Sequence, residues 1–241
     1  MTDASSWRTA TVVDARQVGS HGRILHLRVS EWPGNLAGQH VDVRLTAEDG
    51  YQAVRSYSLA SAGSESTLEL AVDEVPDGEV SPYLVEDVQP GDQLEVRGPI
   101  GGYFVWTPEH EGPVQLIAGG SGIVPLIAMA RIHARSVSAA PMRLLYSVRA
   151  PADAFYADEV DGLAGEGFML DWAYTRTAPA GFPRAAGRID AATVSASTIP
   201  PGEQPTVFIC GPTGFVETVA DLLVAAGHPP ERVRTERFGG T

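Results

Sequence analysis

Two glycine-rich turns and one polar strand hold the residues of this 241-residue chain whose types and spacing best suit chemistry. The first turn, Gly119-Gly120-Ser121-Gly122, follows an apolar run and precedes a helical pattern. Glycines let backbone amides approach a ligand there, and the helix dipole favours a negative charge, so a phosphate fits. The turn lacks the GxGxxG spacing and the lysine of a P-loop. A strand-to-helix turn with no ligand therefore stays an equal alternative.

The same turn admits a second interpretation, a nucleophile elbow with Ser121 as the nucleophile and His228 as the base of a hydrolase. That pattern fails at Ile123, because GxSxG requires a glycine there. A hydrolase is also not expected to begin with a separate β domain. The phosphate interpretation is favoured over the elbow.

The second turn, Cys210-Gly211-Pro212, follows the apolar strand TVFI and precedes another helical pattern. In parallel α/β sheets, ligands bind beyond the carboxyl ends of the strands, so the two turns are predicted to border one crevice. The alternative role for Cys210 is a small buried thiol, which is the commoner environment of a lone cysteine.

The polar strand is RSYSLAS, which begins at Arg55. Arginine binds phosphate in a bidentate manner, and Tyr57 offers a flat face to a ring. Strand alternation places Arg55 and Tyr57 on one face and Ser56 and Ser58 on the other. Tyr57 and Ser58 can therefore contact one ligand only if the strand bends or ends near Tyr57.

Downstream, the segment GEVS ends in Ser81, which is predicted to cap a short helix over SPYLVEDV and to offer a second phosphate contact. The alternative for both features is an exposed strand with a solvated arginine and an ordinary helix cap.

The elements that position these residues change in character along the chain. Short alternating runs separated by turn clusters, from residue 9 to residue 105, predict an antiparallel barrel or sandwich. Beyond residues 107 to 112, continuous apolar strands alternate with helical stretches, which indicates a parallel sheet covered by helices. The fold class is β followed by α/β, with domains at residues 1–107 and 108–241.

Composition excludes several classes of function. The net charge of -13 argues against nucleic acid and anionic membranes as partners, because both require a cationic face. With Cys210 as the single cysteine, the sequence offers no intramolecular disulfide, no thiolate-held iron–sulfur cluster and no cysteine-rich zinc site. No metal site is predicted. The sequence shows neither a secretory signal nor an apolar run of the ~20 residues that span a bilayer, so a cytoplasmic protein is expected.

Taken in order, the segments RSYS, GEVS, GPIGGYF, GGSGIVP, TR, CGP and ERF resemble the ferredoxin–NADP⁺ reductase superfamily over nearly the whole chain. The resemblance implies a six-stranded antiparallel FAD-binding barrel followed by a Rossmann-like NAD(P)-binding domain.

In the first domain, the resemblance implies that Arg55 holds the FAD pyrophosphate, Tyr57 packs on the isoalloxazine and Ser58 hydrogen-bonds the reactive ring nitrogen. Ser81 and the preceding amides would bind the pyrophosphate, and residues 72 to 75 would line the ribityl and adenosine parts. The FAD-binding residues it implies are Arg55, Ser56, Tyr57, Ser58, Val72, Val75, Gly78, Glu79, Val80 and Ser81.

In the second domain, the resemblance implies that the first turn receives the dinucleotide pyrophosphate and that Cys210 lies against the nicotinamide. Thr175-Arg176 resembles the pair that selects the ribose 2′-phosphate, so NADPH is favoured over NADH; a pairing of Arg176 with Asp171 is the alternative. The C-terminal Glu236 and Phe238 match an acid and an aromatic that approach the flavin. The implied nucleotide-site residues are Gly120, Ser121, Gly122, Arg149, Thr175, Arg176, Arg184, Cys210, Gly211, Pro212 and Phe238.

The expected function is an FAD-dependent oxidoreductase that takes hydride from NADPH and passes electrons to a separate acceptor. That acceptor could be a ferredoxin, a flavodoxin, a heme or molybdenum protein, or an oxygenase subunit. Hydride transfer needs no strong acid or base, so the catalytic side chains Ser58, Cys210 and Glu236 are expected to position the reactants. The alternatives are a reductase of free flavin and a non-catalytic flavin-binding subunit.

Overall fold

The computed structural model describes residues 6–136, 140–165 and 167–238. The chain divides into two compact units between Trp106 and Thr107. Each unit has its own sheet.

The first unit is built on a six-stranded antiparallel sheet, as the alternating sequence predicts. Its strands follow one another along the sheet in the order β4-β3-β6-β1-β2-β5. Inward-facing aliphatic side chains of these strands form one buried cluster. The strands are β1 (Trp7–Val18), β2 (Gly22–Val29), β3 (His40–Thr46), β4 (Gln52–Ser58), β5 (Thr67–Asp73) and β6 (Gln93–Ile100).

The chain after β4 links the two outer strands of this sheet. Strand β4 pairs with β3 as far as Ser58, which lies opposite His40. The next residue, Leu59, forms a bridge with Leu70 of β5. The N–H of Ala60 then donates to the carbonyl of Glu69. Strand β4 therefore ends at Ser58. This is the condition under which Tyr57 and Ser58 can both contact one ligand.

The predicted short helix that begins at Ser81 is present, since residues 81–87 are helical, but the predicted serine cap is wrong. Its last five residues, Tyr83–Asp87, form a π-helical turn, and Pro82 before this turn offers no side-chain cap. The Ser81 hydroxyl instead accepts a hydrogen bond from the N–H of Val75, at 3.0 Å. The Ser81 hydroxyl is thus hydrogen-bonded to the loop before the helix, and no side chain caps the first N–H groups of the helical turn.

The second unit is a five-stranded parallel sheet in the order β11-β10-β7-β8-β9, as the α/β pattern predicts. The chain runs outward from β7 through β8 to β9, then crosses to the other side of β7 as β10. The strand order therefore reverses between β7 and β10. The strands are β7 (Val114–Gly119), β8 (Met142–Val148), β9 (Phe168–Tyr174), β10 (Thr206–Pro212) and β11 (Val233–Phe238).

In the described part of this unit, four α-helices accompany the sheet: α1 (Ile123–Arg135), α2 (Ala157–Leu163), α3 (Ala191–Ser197) and α4 (Thr213–Ala225). Helix α1 is buried from Ile123 to Ala130, in keeping with its nearly unbroken apolar sequence. Helix α3 begins where Asp190 accepts a hydrogen bond from the N–H of Thr193 at 2.8 Å, a regular N-cap. Within the described ranges, none of the helices is long and apolar enough to cross a membrane.

Candidate functional site

The two glycine-rich turns of the second unit lie at the place where the strand order reverses. Gly119 ends β7, and Gly211 and Pro212 end β10, two strands that pair in parallel. Ligands of doubly wound α/β sheets bind outside the carboxyl ends of such strands. The structure thus brings the two predicted turns together, and ligand binding between them stays a prediction.

The glycines of these turns are required because backbone packs directly on backbone. A Cβ added at Gly122 would lie 2.0 Å from the carbonyl oxygen of Cys210. A Cβ added at Gly211 would lie 3.2 Å from both Cα and O of Gly119. Gly120 adopts a φ of 55°, in the left-handed region. The turn therefore has a defined shape that larger residues would disrupt.

Cys210, near the end of β10, is fully buried and lies between Ala118 of β7 and Glu236 of β11 in the sheet register. Burial raises the pKa of its thiol well above the ordinary value, and the charge of Glu236 raises it further. The thiol therefore stays protonated at neutral pH and is unsuited to nucleophilic attack. Phe238, at the end of β11, lies opposite Pro212 and is partly buried.

Arg149 follows the carboxyl end of β8, and Arg176 follows that of β9. Two further arginines, Arg184 and Arg188, lie in the segment after Arg176. The N–H of Arg176 donates to the carbonyl of Arg149 at 2.9 Å, which joins the two loops. Both arginines have exposed side chains. Asp171 is paired with Arg143 at 2.8 Å, so the alternative pairing of Arg176 with Asp171 is wrong. Among described residues, the Arg176 side chain has no ion pair.

Arg184 lines a cavity of about 290 Å³ beside the end of β9, together with Tyr174 and Arg188. Its NH2 group donates to the hydroxyl of Ser197 at 3.0 Å. Its NH1 group is buried and has no hydrogen-bond partner among described residues. A buried guanidinium donor with no acceptor is costly, so this cavity suits an anion.

In the first unit, Arg55 belongs to a surface cluster with Tyr51 and Glu79. Arg55 NH2 forms an ion pair with Glu79, and Arg55 NH1 donates to the carbonyl of Val54. The hydroxyl of Tyr51 donates to the other oxygen of Glu79 at 2.5 Å. Hydrogen bonds from Tyr51 and Arg55 lower the pKa of Glu79. Tyr51 was not among the predicted site residues, although it lies four residues before Arg55.

The remaining residues of RSYS face different surroundings. Ser56 donates its hydroxyl to Asp42 at 2.7 Å, and Arg97 donates to the other oxygen of that carboxylate at 2.6 Å. Burial opposes ionisation of Asp42, but these two hydrogen bonds hold its pKa below the ordinary value. Tyr57 packs against the buried cluster, and burial raises the pKa of its hydroxyl. Ser58 is partly buried.

The loop that carries GEVS is folded tightly on itself. The N–H of Gly78 donates to the carbonyl of Val75 at 2.9 Å, and a Cβ at Gly78 would lie 2.9 Å from that oxygen. Ser81 is buried next to it. Val75 is exposed, whereas Val72 and Val80 lie in the core cluster. The side chains of Val72 and Val80 therefore cannot line a ligand, and only their backbone atoms remain candidates.

In the part of the chain that the structure describes, the predicted site residues form two groups, one in each unit. No group of three or more His, Cys, Asp or Glu among them is placed to hold a metal ion. The structure gathers Arg55 with Glu79 in the first unit, and the turns at Gly119 and Cys210 in the second. The roles of these residues toward cofactors stay predictions.

Two protein families match the chain. An oxidoreductase FAD-binding domain matches residues 9–105, and an oxidoreductase NAD-binding domain matches residues 116–221. The matches follow the order of the two structural units.

Among characterised proteins, the chain is similar to the reductase subunit of an aromatic O-demethylase from Amycolatopsis, with 30% identity over 95% of this chain and 69% of the relative. It is also similar to the reductase subunit of a glycine betaine monooxygenase from Chromohalobacter salexigens, with 29% identity over 85% of this chain and 56% of the relative. The chain thus spans between 56% and 69% of the length of these two relatives.

Among solved structures, the chain is similar to the FAD/NAD-binding domain of a nitric oxide dioxygenase from Vibrio cholerae. The TM-score is 0.84 at 25% identity, and the match covers 97% of this chain and 99% of the other. A cytochrome P450 reductase from Amycolatopsis matches with a TM-score of 0.83 at 29% identity, over 97% of this chain and 70% of the other.

Proposed function

Because this chain belongs to the ferredoxin–NADP⁺ reductase-like family of flavin-dependent oxidoreductases, we propose that it takes hydride from NADPH and delivers electrons, by way of FAD, to a separate redox protein. Residues 1–107 would bind FAD and residues 108–241 would bind the nicotinamide coenzyme. The observation that carries the proposal is the succession of an FAD-binding and an NAD-binding domain in one chain.

The residues of the first unit fit the pyrophosphate of FAD. Arg55 offers a guanidinium at the surface, next to the loop from Val75 to Ser81. That loop is a close cradle, since a Cβ at Gly78 would collide with the Val75 carbonyl. Guanidinium and backbone N–H groups are the donors that phosphate prefers. We therefore assign the pyrophosphate to Arg55 and to this loop.

Tyr57 and Ser58 are our candidates for contacts to the flavin ring. Strand β4 ends at Ser58, so regular strand alternation need not hold beyond that residue. Tyr57 would supply its ring face, and Ser58 would supply a hydroxyl to the reactive edge. When bound, FAD supplies the conversion between two-electron hydride chemistry and single-electron transfer, while the chain orients the reactants.

In the second unit, Gly120 to Gly122 would receive the coenzyme pyrophosphate at the start of α1. The 13-residue helix directs its N-terminal amides and dipole toward this turn, which favours an anion. The protonated, buried thiol of Cys210 suits a packing role against the nicotinamide rather than a chemical step. Glu236, beside it in the sheet, would act as a positioning group.

A preference for NADPH over NADH is supported by the arginines near the ends of β8 and β9. Arg176 is exposed and has no ion pair among described residues, so it can meet a 2′-phosphate without losing a partner. Arg184, with a buried donor that lacks an acceptor, is the second candidate contact. Arg149 supports the loop through its backbone carbonyl.

The acceptor is proposed from the relatives, two of which are reductase subunits of a demethylase and a monooxygenase. An oxygenase component is therefore our first candidate, ahead of a free-standing ferredoxin, a flavodoxin, or a heme or molybdenum protein. A cytoplasmic location stays a prediction from the sequence.

Purification tests the proposal. A yellow protein that retains stoichiometric FAD, and whose flavin absorbance is bleached by NADPH under anaerobic conditions, supports it. A colourless protein that reduces added riboflavin contradicts it and favours a free-flavin reductase. Bound FAD that is inert to both nicotinamides would indicate a non-catalytic flavin-binding subunit.

A further inference from the structure

One aromatic ring covers both glycine turns of the second unit. Phe215 lies in the first turn of α4, shortly after the Cys210 turn. A Cβ built on Gly119 would lie 2.7, 2.8 and 2.9 Å from three ring atoms of Phe215, namely Cδ1, Cε1 and Cγ. A Cβ built on Gly211 would lie 2.8 Å from the same Cδ1 atom. The ring therefore rests on the backbone of two different strands.

The contacts define what the ring does. Because three ring atoms would lie at nearly equal distances from a Cβ on Gly119, the ring covers this glycine. Any side chain at this position would collide with the ring. The two glycines also touch each other, because a Cβ on Gly211 would be 3.2 Å from Cα of Gly119. Removing the ring would leave a gap over this contact, and enlarging either glycine would displace the ring.

The side chain of Phe215 is only partly buried. It packs against the core cluster that holds Ile117, Ile209 and Val216. The ring also meets Gly119 and Gly211 at the carboxyl ends of β7 and β10, where the strand order reverses. This position is the one at which α/β sheets bind ligands. The ring thus joins the core to the place proposed for the coenzyme.

We propose that Phe215 is a positioning residue that fixes the Gly119 and Cys210 turns relative to each other and so sets the affinity for the nicotinamide coenzyme. This inference rests on the proposed function, because it assumes that the coenzyme binds at these two turns.

The test is a double-mutant cycle between Gly119→Ala and Phe215→Ala, read as the dissociation constant of NADP⁺ for the FAD-loaded protein. Phe215→Ala is expected to raise that constant about tenfold, and Gly119→Ala by at least fivefold. In the Phe215→Ala background, Gly119→Ala should change it by less than twofold, because the added methyl group enters the space that the ring has left. Non-additivity of this kind is characteristic of residues in contact.

Matched measurements separate positioning from simple stability. Val224→Ala removes an exposed apolar side chain from the same helix and should leave NADP⁺ binding unchanged. Phe215→Leu keeps most of the volume without a flat ring, and it should retain folding while raising the dissociation constant severalfold. FAD occupancy should be the same in all variants, because FAD is assigned to the other unit.

Two results would overturn the inference, and a third would overturn the proposed function on which it rests. Equal effects of Gly119→Ala in both backgrounds would show that the ring is not what this glycine accommodates. A loss of thermal stability in Phe215→Ala and Phe215→Leu with unchanged NADP⁺ binding would leave a packing role alone. Failure of the unaltered protein to bind NADP⁺ or NAD⁺ would instead contradict the proposed function, and is distinguishable for that reason.

Discussion

The substitution Gly122→Ala tests how the two turns are assembled. Gly122 has a φ of -61° and a ψ of -9°, a backbone conformation that alanine adopts freely. Only space forbids a side chain there. An added Cβ would be 2.0 Å from the Cys210 oxygen, 2.4 Å from the Cys210 carbonyl carbon and 2.8 Å from the Gly211 nitrogen. All three are backbone atoms of a central strand.

The expected loss of stability in Gly122→Ala follows from these distances. Ordinary van der Waals contact begins near 3.4 Å, so either α1 or β10 must move by more than an ångström to admit the methyl group. Overpacking of a core costs about 1–3 kcal/mol, and rigid backbone on both sides places this case at about 3 kcal/mol or more. For a chain of this length, that loss lowers the midpoint of thermal unfolding by about 6–12 °C.

The matched control is Gly214→Ala, near the start of α4, where an added Cβ meets nothing within 4 Å. Alanine is favoured over glycine in helices by up to about 1 kcal/mol, so this variant should be unchanged or slightly more stable. Thermal unfolding followed by far-UV circular dichroism compares the two. If Gly122→Ala unfolds within about 2 °C of the unaltered protein, the close packing of the two turns is refuted.

Three further predictions concern pH and the two nucleotides. His228 is buried with neither ring nitrogen hydrogen-bonded to a described residue, and burial lowers its pKa. As the pH drops, the unfolded state therefore binds a proton at this histidine before the folded state does. The unfolding midpoint should fall below about pH 6.5, and it should fall less in His228→Leu. Arg176→Ala should lower the NADPH to NADH efficiency ratio at least tenfold, whereas Arg135→Ala, remote on α1, should leave it unchanged. Arg55→Ala should lower FAD occupancy after purification, and Arg28→Ala, exposed in the same sheet, should not; equal occupancy in both would remove the pyrophosphate assignment.

The order and type of most elements could be predicted because local pattern decides them. The run from Ile123 to Arg135 reads as a helix and is one, and FMLDWAY reads as a strand and is β9. Strand β11 was not predicted, because VRTERF has apolar residues only at its two ends and lacks the apolar run that marked the other strands.

The candidate site was less accessible to sequence reasoning where it depends on contacts between distant residues. The capping role predicted for Ser81 was wrong, because the sequence does not show that its hydroxyl accepts a hydrogen bond from the upstream N–H of Val75. The partner of Asp171 is Arg143 on the neighbouring strand, which only the strand register determines. Phe215 gave no signal in the sequence, since its ring contacts two glycines that lie close only after folding.

The proposal that this chain carries electrons from NADPH through FAD to another protein is tested most directly by an anaerobic reductive titration of the FAD-loaded protein. One equivalent of NADPH should bleach the flavin absorbance, NADH should do so with much lower efficiency, and addition of a one-electron acceptor such as cytochrome c should restore the colour. Flavin absorbance that neither nicotinamide changes would contradict the proposal.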